Sequence, residues 1–215
     1  MRRLRSGALL FVLALYAALA GPARADEPGV FDFYVLSLSW SPTYCEDDGQ
    51  NDRIQCGGRP YAFVVHGLWP QYERGYPRDC PSDAPGRVPR RIVDGMLDIM
   101  PSPGLIGHEW RTHGTCSGLS QPAYFDLVRR ARDIVRIPSR FVDVEDYLTV
   151  TPREVEAAFR TVNPGLPGDG IAVSCNSRRL KEVRVCLTRS LAFRPCPEVD
   201  RAACRRDRIV MPPVR

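Results

Sequence analysis

The stretch FDFYVLSLSW, Phe31 to Trp40, alternates large apolar residues with smaller or polar ones. Successive side chains of a strand leave on opposite faces, so this period of two predicts a half-buried β-strand. A second run, AFVVHGLWP, is more apolar and predicts a more buried strand, which runs into a glycine-containing turn and stops at Pro70. His66 then stands at the end of that strand. Strand ends beside loops are places where a rigid sheet holds a side chain that still reaches solvent.

Outward from these two strands the period changes. Gln71 to Pro89 is rich in Pro, Gly and charge and reads as loop, and RRIVDGMLDIM reads as a short amphipathic helix stopped by PSPG. Ser120 to Ile137 carries apolar residues at helical spacing with Pro122 in the first turn. TPREVEAAFR opens with Thr151 as N-cap, Pro152 at the first helical position and Glu154 three residues after the cap, the pattern of a capping box. In the last third, GIAVSC, LKEVRVCLT and LAFRPC read as short strands between turn residues. Strands at both ends with helices between them predict an α+β fold, a mainly antiparallel sheet with helices packed against it. No repeat or linker divides the chain, so residues 26–215 are expected to form one domain.

Residues 1–25 read differently from the rest. Arg2, Arg3 and Arg5 precede ALLFVLALYAALA, and the small-x-small triplet Ala23, Arg24, Ala25 follows, which is the pattern of a cleaved secretory signal peptide. The strongly apolar core falls short of the ~20 residues of a spanning helix, so no membrane attachment is expected after cleavage. The leader also carries the charge: four of the 30 basic residues and none of the 25 acidic ones lie in it, leaving 26 against 25. A polyanionic partner would therefore be met by local patches and not by net charge. Eight cysteines on an exported chain predict a disulfide framework, and none are spaced C-x-x-C. Connectivity does not follow from sequence; the pairing we expect is Cys45 with Cys56, Cys80 with Cys116, Cys175 with Cys204 and Cys186 with Cys196.

The chain has three histidines, and GHEWRTHGTC holds two of them. A zinc site of the H-E-x-x-H type needs ligands four apart on one helix face. His108 and His113 are five apart, about 140° from each other at ~100° per residue, so no metal is expected. Glu109 and His113 are four apart and share a face. A carboxylate beside an imidazole would orient it and hold its pKa near or above neutral. With His66 arriving from a separate strand, the pattern fits acid–base chemistry in which one imidazole removes a proton and another delivers one. RNA suits such a pair because it carries its own nucleophile, the 2′-hydroxyl. A further cation would meet the phosphate charge, and Trp69 and Tyr72 would stack on unpaired bases.

FVVHGLWPQY, Phe63 to Tyr72, and HEWRTHGTC, His108 to Cys116, resemble the two active-site segments of the ribonuclease T2 family of secreted acid endoribonucleases, and LSLSWSPTYC resembles that family's N-terminal strand. The resemblance implies His66 as general acid on the leaving 5′-oxygen and His113 as general base on the 2′-hydroxyl. It implies His108 as a phosphate-binding residue, Glu109 as a carboxylate supporting the transition state and Trp69 as a base-stacking aromatic. It also implies that a Cys80–Cys116 disulfide ties the two segments together. The reaction implied is cleavage of single-stranded RNA through a 2′,3′-cyclic phosphate with low base specificity and without a cofactor. The leader and the even set of cysteines place it in the periplasm or outside the cell, and a monomer with no stable protein partner is the default expectation for a small disulfide-bonded hydrolase.

One position departs from the family pattern. Thr112 stands where the family has Lys or Arg immediately before the second histidine, and Arg111 is the nearest cation in sequence. The alternative function is therefore a catalytically weakened, RNA-binding member. The arginines of RRARDIVR read as a solvated helix face and Trp110 as core.

Overall fold

The structure is a computed structural model that describes residues 26–215; the expected signal peptide lies outside the described residues. Its centre is a four-stranded antiparallel sheet in the order β2-β1-β5-β4, built from β1 (Phe33–Trp40), β2 (Phe63–Gln71), β5 (Leu180–Leu187) and β4 (Ile171–Cys175). A second, two-stranded antiparallel sheet joins β3 (Leu148–Val150) to β6 (Ile209–Met211). Among the described residues the helices are α1 (Ser41–Asp47), α2 (Arg53–Cys56), α3 (Arg90–Asp94), α4 (Pro103–Thr112), α5 (Gln121–Ile134), α6 (Pro152–Val162) and α7 (Pro197–Arg201). The α+β architecture is the one the sequence predicts.

The β1 strand is buried on both faces and not on one. Tyr34, Leu36, Leu38 and Trp40 enter the main core with Ile106 and Trp110 of α4, Tyr124 and Val128 of α5 and Phe159 of α6. Phe33 and Val35, on the other face, bury against Cys186, Cys196, Trp69 and Val199. A half-buried pattern became a doubly covered strand because the Cys186–Cys196 segment and Trp69 fold over the side that alternation assigns to water.

The β2 strand continues through Pro70 to Gln71. It lies at the edge of the sheet, where a residue without an N–H is tolerated, and Pro70 stands opposite Tyr34. Gly67 makes no turn. Instead the register steps from Ser37↔Gly67 to Leu38↔Val65, so His66 is the extra residue of a β-bulge in the middle of the strand and not at its end. Bulges re-aim side chains. The outer edge of β2 is covered in part by the 95–100 turn, whose Ile99 carbonyl accepts from the Val65 N–H at 2.8 Å.

The α6 cap is the predicted capping box: the Thr151 hydroxyl accepts from the Glu154 N–H at 3.1 Å and the Glu154 carboxylate from the Thr151 N–H at 2.7 Å. Three other expectations change. RRIVDGMLDIM is helical only over Arg90–Asp94 and is halted at Gly95, a weak helix former. LAFRPC forms no strand, only an isolated bridge of Phe193 with Leu187. In RRARDIVR, Arg129 is not merely solvated: it clamps both carboxylate oxygens of Asp98 and the Gly95 carbonyl, fastening α5 to the turn that covers β2.

The disulfides are Cys45–Cys56, Cys80–Cys116, Cys175–Cys204 and Cys186–Cys196. The second closes the longest sequence interval, 36 residues, and holds the loop after β2 against the end of α4. Native disulfides of this kind contribute about 2–5 kcal/mol each.

Candidate active site

The sheet face opposite the helices carries Ser37 and Ser39 on β1, flanked by His66 and Trp69 of β2 and by Glu182 and Arg184 of β5. The register sets Ser39 opposite Glu182 and Ser37 opposite Arg184. Strands two apart are ~9.6 Å distant, at ~4.8 Å per step. Side chains from β2 and β5 meet over β1 only where β1 presents something small, as these serines do. The polar positions that suggested a solvated face are instead the floor of a site.

Over that floor His66 Nδ1 lies 2.5 Å from Glu182 Oε1. Glu182 Oε2 accepts from Arg184 Nε at 3.1 Å and Nη2 at 2.8 Å, so both carboxylate oxygens are engaged. Burial disfavours the charged imidazole of His66, but the hydrogen bond and charge of Glu182, with the charge of Glu109, outweigh burial and the opposing Arg184 and raise its pKa. Burial likewise works against the Glu182 carboxylate, and His66 and Arg184 overcome it and bring the pKa down to about 2.

The second segment enters on α4. Ser102 caps the helix through a 3.4 Å bond from the Leu105 N–H, and the inward face presents Ile106, Glu109 and Trp110. Trp110 is core, as expected, its indole donating to the Pro85 carbonyl. Glu109 is 1 % exposed. Its Oε2 accepts from Trp69 Nε1 at 2.7 Å and its Oε1 lies 3.7 Å from His66 Nε2, beyond hydrogen-bond reach. Desolvation pushes the Glu109 carboxyl up to about 7 against the pull of His66 and Trp69, with the charge of Glu182 adding to the rise.

His113 is the C-cap of α4 and begins the 3-10 turn Gly114–Ser117. The expectation that Glu109 orients it fails. Glu109 reaches inward to Trp69, while His113 Nδ1 is buried with no hydrogen-bond partner. Consequently His113 is not held near neutrality. Burial, then the charges of His108 and His66, and more weakly Arg78, lower its pKa to about 4 against the opposing Asp79. Four-residue spacing brings side chains together only inside a helix, and His113 is already leaving this one.

Trp69 packs against both imidazoles, its ring 5.2 Å from His66 and 5.4 Å from His113. It is a shared wall for the two rings, itself fixed by its hydrogen bond to Glu109. His108 is exposed on α4 and acts on His113 through its charge. Tyr72 does not join the site: its hydroxyl bonds Asp26 at 3.2 Å and its ring packs on the main core. The aromatic near His113 is Tyr76, 51 % exposed and 6.5 Å from it, in the loop pinned by Cys80–Cys116. Arg111 lies along Gly86 and Gly107; the cations that act on the imidazoles are Arg184 and Arg78.

Glu182, Arg184 and Tyr76 escaped the sequence reading. The alternation of LKEVRVCLT does place Glu182 and Arg184 on one strand face, a signal that two charges on an inner strand have a partner. Tyr76 gave none. Among the described residues no three His, Cys, Asp or Glu side chains group as a metal site would require.

The sequence matches the model of the Ribonuclease T2 family over residues 31–196, a span that includes every residue of this site. It is 43 % identical to a ribonuclease of Aeromonas hydrophila over 114 residues, 53 % of this chain and 51 % of that one, so the match spans about half of that protein's length. Ribonuclease DdI of Dictyostelium discoideum is 28 % identical over 84 % of this chain and 85 % of its own. Ribonuclease I of Escherichia coli (strain K12) is 29 % identical over 72 % and 74 %. Among solved structures, RNase NT in complex with 5′-AMP superposes with a TM-score of 0.66 at 23 % identity, covering 85 % of this chain and 98 % of that one. An RNase-related protein from Calystegia sepium gives 0.67 at 20 %, covering 86 % and 98 %. At these identities the structural likeness establishes the fold, and the sequence match establishes the kinship: this chain belongs to the ribonuclease T2 family.

Proposed function

We propose that the protein is an endoribonuclease that cleaves single-stranded RNA by attack of the 2′-hydroxyl on the adjacent phosphorus, with His113 as general base and His66 as general acid. The observation that carries this reading is the opposite displacement of two imidazoles that both pack against Trp69: His66 is raised and His113 lowered to about 4. Paired titratable groups pushed apart in this way divide into an acid and a base over the interval between them. At mildly acidic pH His113 is neutral and takes the 2′-hydroxyl proton. As O2′ bonds to phosphorus and the P–O5′ bond breaks, the proton on His66 Nε2 passes to O5′, leaving a 2′,3′-cyclic phosphate.

Glu109, its carboxyl pushed up to about 7 by burial, carries its proton at mildly acidic pH and supports the charged phosphate as a neutral donor beside His66. His108, exposed at the rim, meets the incoming phosphate. Trp69 positions the imidazoles, and the exposed ring of Tyr76 takes the base-stacking role. A stacking face reads no base edge, which favours low base specificity; RNase NT was solved with 5′-AMP and an RNase MC1 variant with 5′-UMP. Both proton transfers are assigned to side chains, so the reading needs no metal. The leader pattern and four disulfides favour export to an oxidising compartment.

The test is cleavage of a short RNA and its DNA counterpart by the oxidised mature protein, in EDTA at pH 5. RNA cut to a 2′,3′-cyclic phosphate with DNA spared is the expected result. Loss of cutting in EDTA, or cutting of both polymers, would overturn it.

A further inference from the structure

We propose that Glu182, held by Arg184, is a positioning residue for His66: it engages Nδ1 of the imidazole and so presents Nε2–H to the leaving oxygen. The inference rests on the acid role of His66 above and names what enforces it.

The geometry is specific. Glu182 is 7 % exposed and lies on β5, two strands away from His66. It reaches the imidazole at 2.5 Å across Ser37 and Ser39. A carboxylate that accepts from Nδ1–H fixes both the tautomer and the plane of the ring, leaving only Nε2 to exchange protons. Arg184 occupies Oε2 and leaves Oε1 to His66, so the carboxylate cannot rotate away. The charged groups facing His66 are Glu182 and Arg184 from β5, Glu109 from α4 and His113 at that helix's end. Of these only Glu182 hydrogen-bonds it. When P–O5′ breaks, Nε2 gives its proton to O5′, and the ring becomes neutral with Nδ1–H still donated to Oε1. The carboxylate keeps its charge throughout.

A salt bridge that merely ties β5 to β2 would look the same in the fold, so the test must read the leaving group. A dinucleotide departs as a 5′-alkoxide and needs the acid; a nucleoside 3′-(4-nitrophenyl phosphate) departs as a phenoxide and does not. Glu182→Ala is expected to lower kcat on the dinucleotide about 10- to 100-fold, by analogy with the loss of a carboxylate that orients a metal-ligating imidazole, with little change on the aryl ester. Glu182→Gln keeps an acceptor but no charge, so the alkaline limb of its dinucleotide profile should move to lower pH. Equal losses on both substrates, or none, overturn the proposal. His66→Ala run in parallel separates the two levels. If it too affects both substrates alike, the acid role itself is wrong; if it is leaving-group dependent and Glu182→Ala is not, only the Glu182 assignment falls. Should the Glu182 variants not fold, the 15N spectrum of the wild-type protein decides: the expected His66 signal carries its proton on Nδ1 below and above the titration, and a neutral ring protonated on Nε2 would refute it.

Discussion

The indole N–H of Trp69 donates to Glu109 Oε2 at 2.7 Å, and the strand between them has room for this bond only because residue 67 is glycine. A β-carbon on Gly67 would stand 2.0 Å from Glu109 Oε2 and 2.3 Å from Trp69 Nε1, both far inside contact distance. Gly67→Ala should therefore displace the Glu109 carboxylate and the Trp69 indole that packs on both imidazoles together. Displacing catalytic groups by about 1 Å costs on the order of 100-fold, and overpacking costs about 1–3 kcal/mol. Steady-state cleavage and a thermal melt check both. Trp69→Phe, which keeps an aromatic ring, though a smaller one, and removes the donor, should cost about tenfold in kcat/KM with a smaller loss of stability than Gly67→Ala.

This relationship marks where the sequence stops being legible. The two histidine segments and the strand carrying His66 are local patterns, readable because each is a short contiguous run of residues. The capping box of α6 is equally local. The partnership of Glu182 with His66 is invisible to that kind of reading: the two lie 116 residues apart in sequence and meet only through the pairing of β1 with both β2 and β5, and register between distant strands leaves no mark in either. Tyr72 and Tyr76 make the same point in a loop, where the Cys80–Cys116 bridge and the Asp26 contact, not spacing, decide which ring faces His113. Proximity to a helix end defeated the i,i+4 argument for Glu109 and His113.

The displaced imidazoles set the pH dependence. Cleavage requires His113 neutral and His66 protonated, so kcat/KM should rise through about pH 4, where His113 loses its proton. It should fall at a pH above the ordinary imidazole value, where the raised His66 loses its own. Because the charge of His108 helps to lower His113, His108→Ala should move the acid limb to higher pH while raising KM for RNA. A profile with a single limb would count against two imidazoles sharing the work.

Glu109 links catalysis to stability with a definite sign. Its folded pKa of about 7 lies above the ordinary 4.5 because burial disfavours the anion. Its contribution to stability is therefore complete below pH 4.5 and is lost as pH rises through about 7. A shift of that size corresponds to a penalty on the order of 3 kcal/mol at pH 8. Glu109→Gln, neutral at every pH, should be the less active enzyme and yet gain stability relative to wild type between pH 4 and pH 8. Urea melts of both proteins at the two pH values measure the difference; an unchanged gap would mean that the carboxylate is not strained by its burial.

Thr112 offers the last test, of the weakened alternative. The stem of Arg111 lies along Gly86 and its guanidinium packs back against Gly107, one turn toward the start of α4 and not toward His113 at its end, and Arg184 is committed to Glu182. No arginine on α4 therefore takes the place that the family pattern gives to a cation before His113. Thr112→Lys places an ammonium on the last residue of α4, where it also opposes the helix's negative end favourably. A cation aimed at developing phosphate charge should raise kcat about tenfold, less than the ~100-fold seen for a fully buried donor because this one is half in water. It should also lower the His113 pKa further, so the acid limb moves below about 4. Two readouts from one substitution separate the cases: a faster enzyme with a shifted limb means that the natural protein runs without that cation, whereas a shifted limb with no gain in rate means that another cation, with Arg78 the one that already acts on His113, neutralises the phosphate.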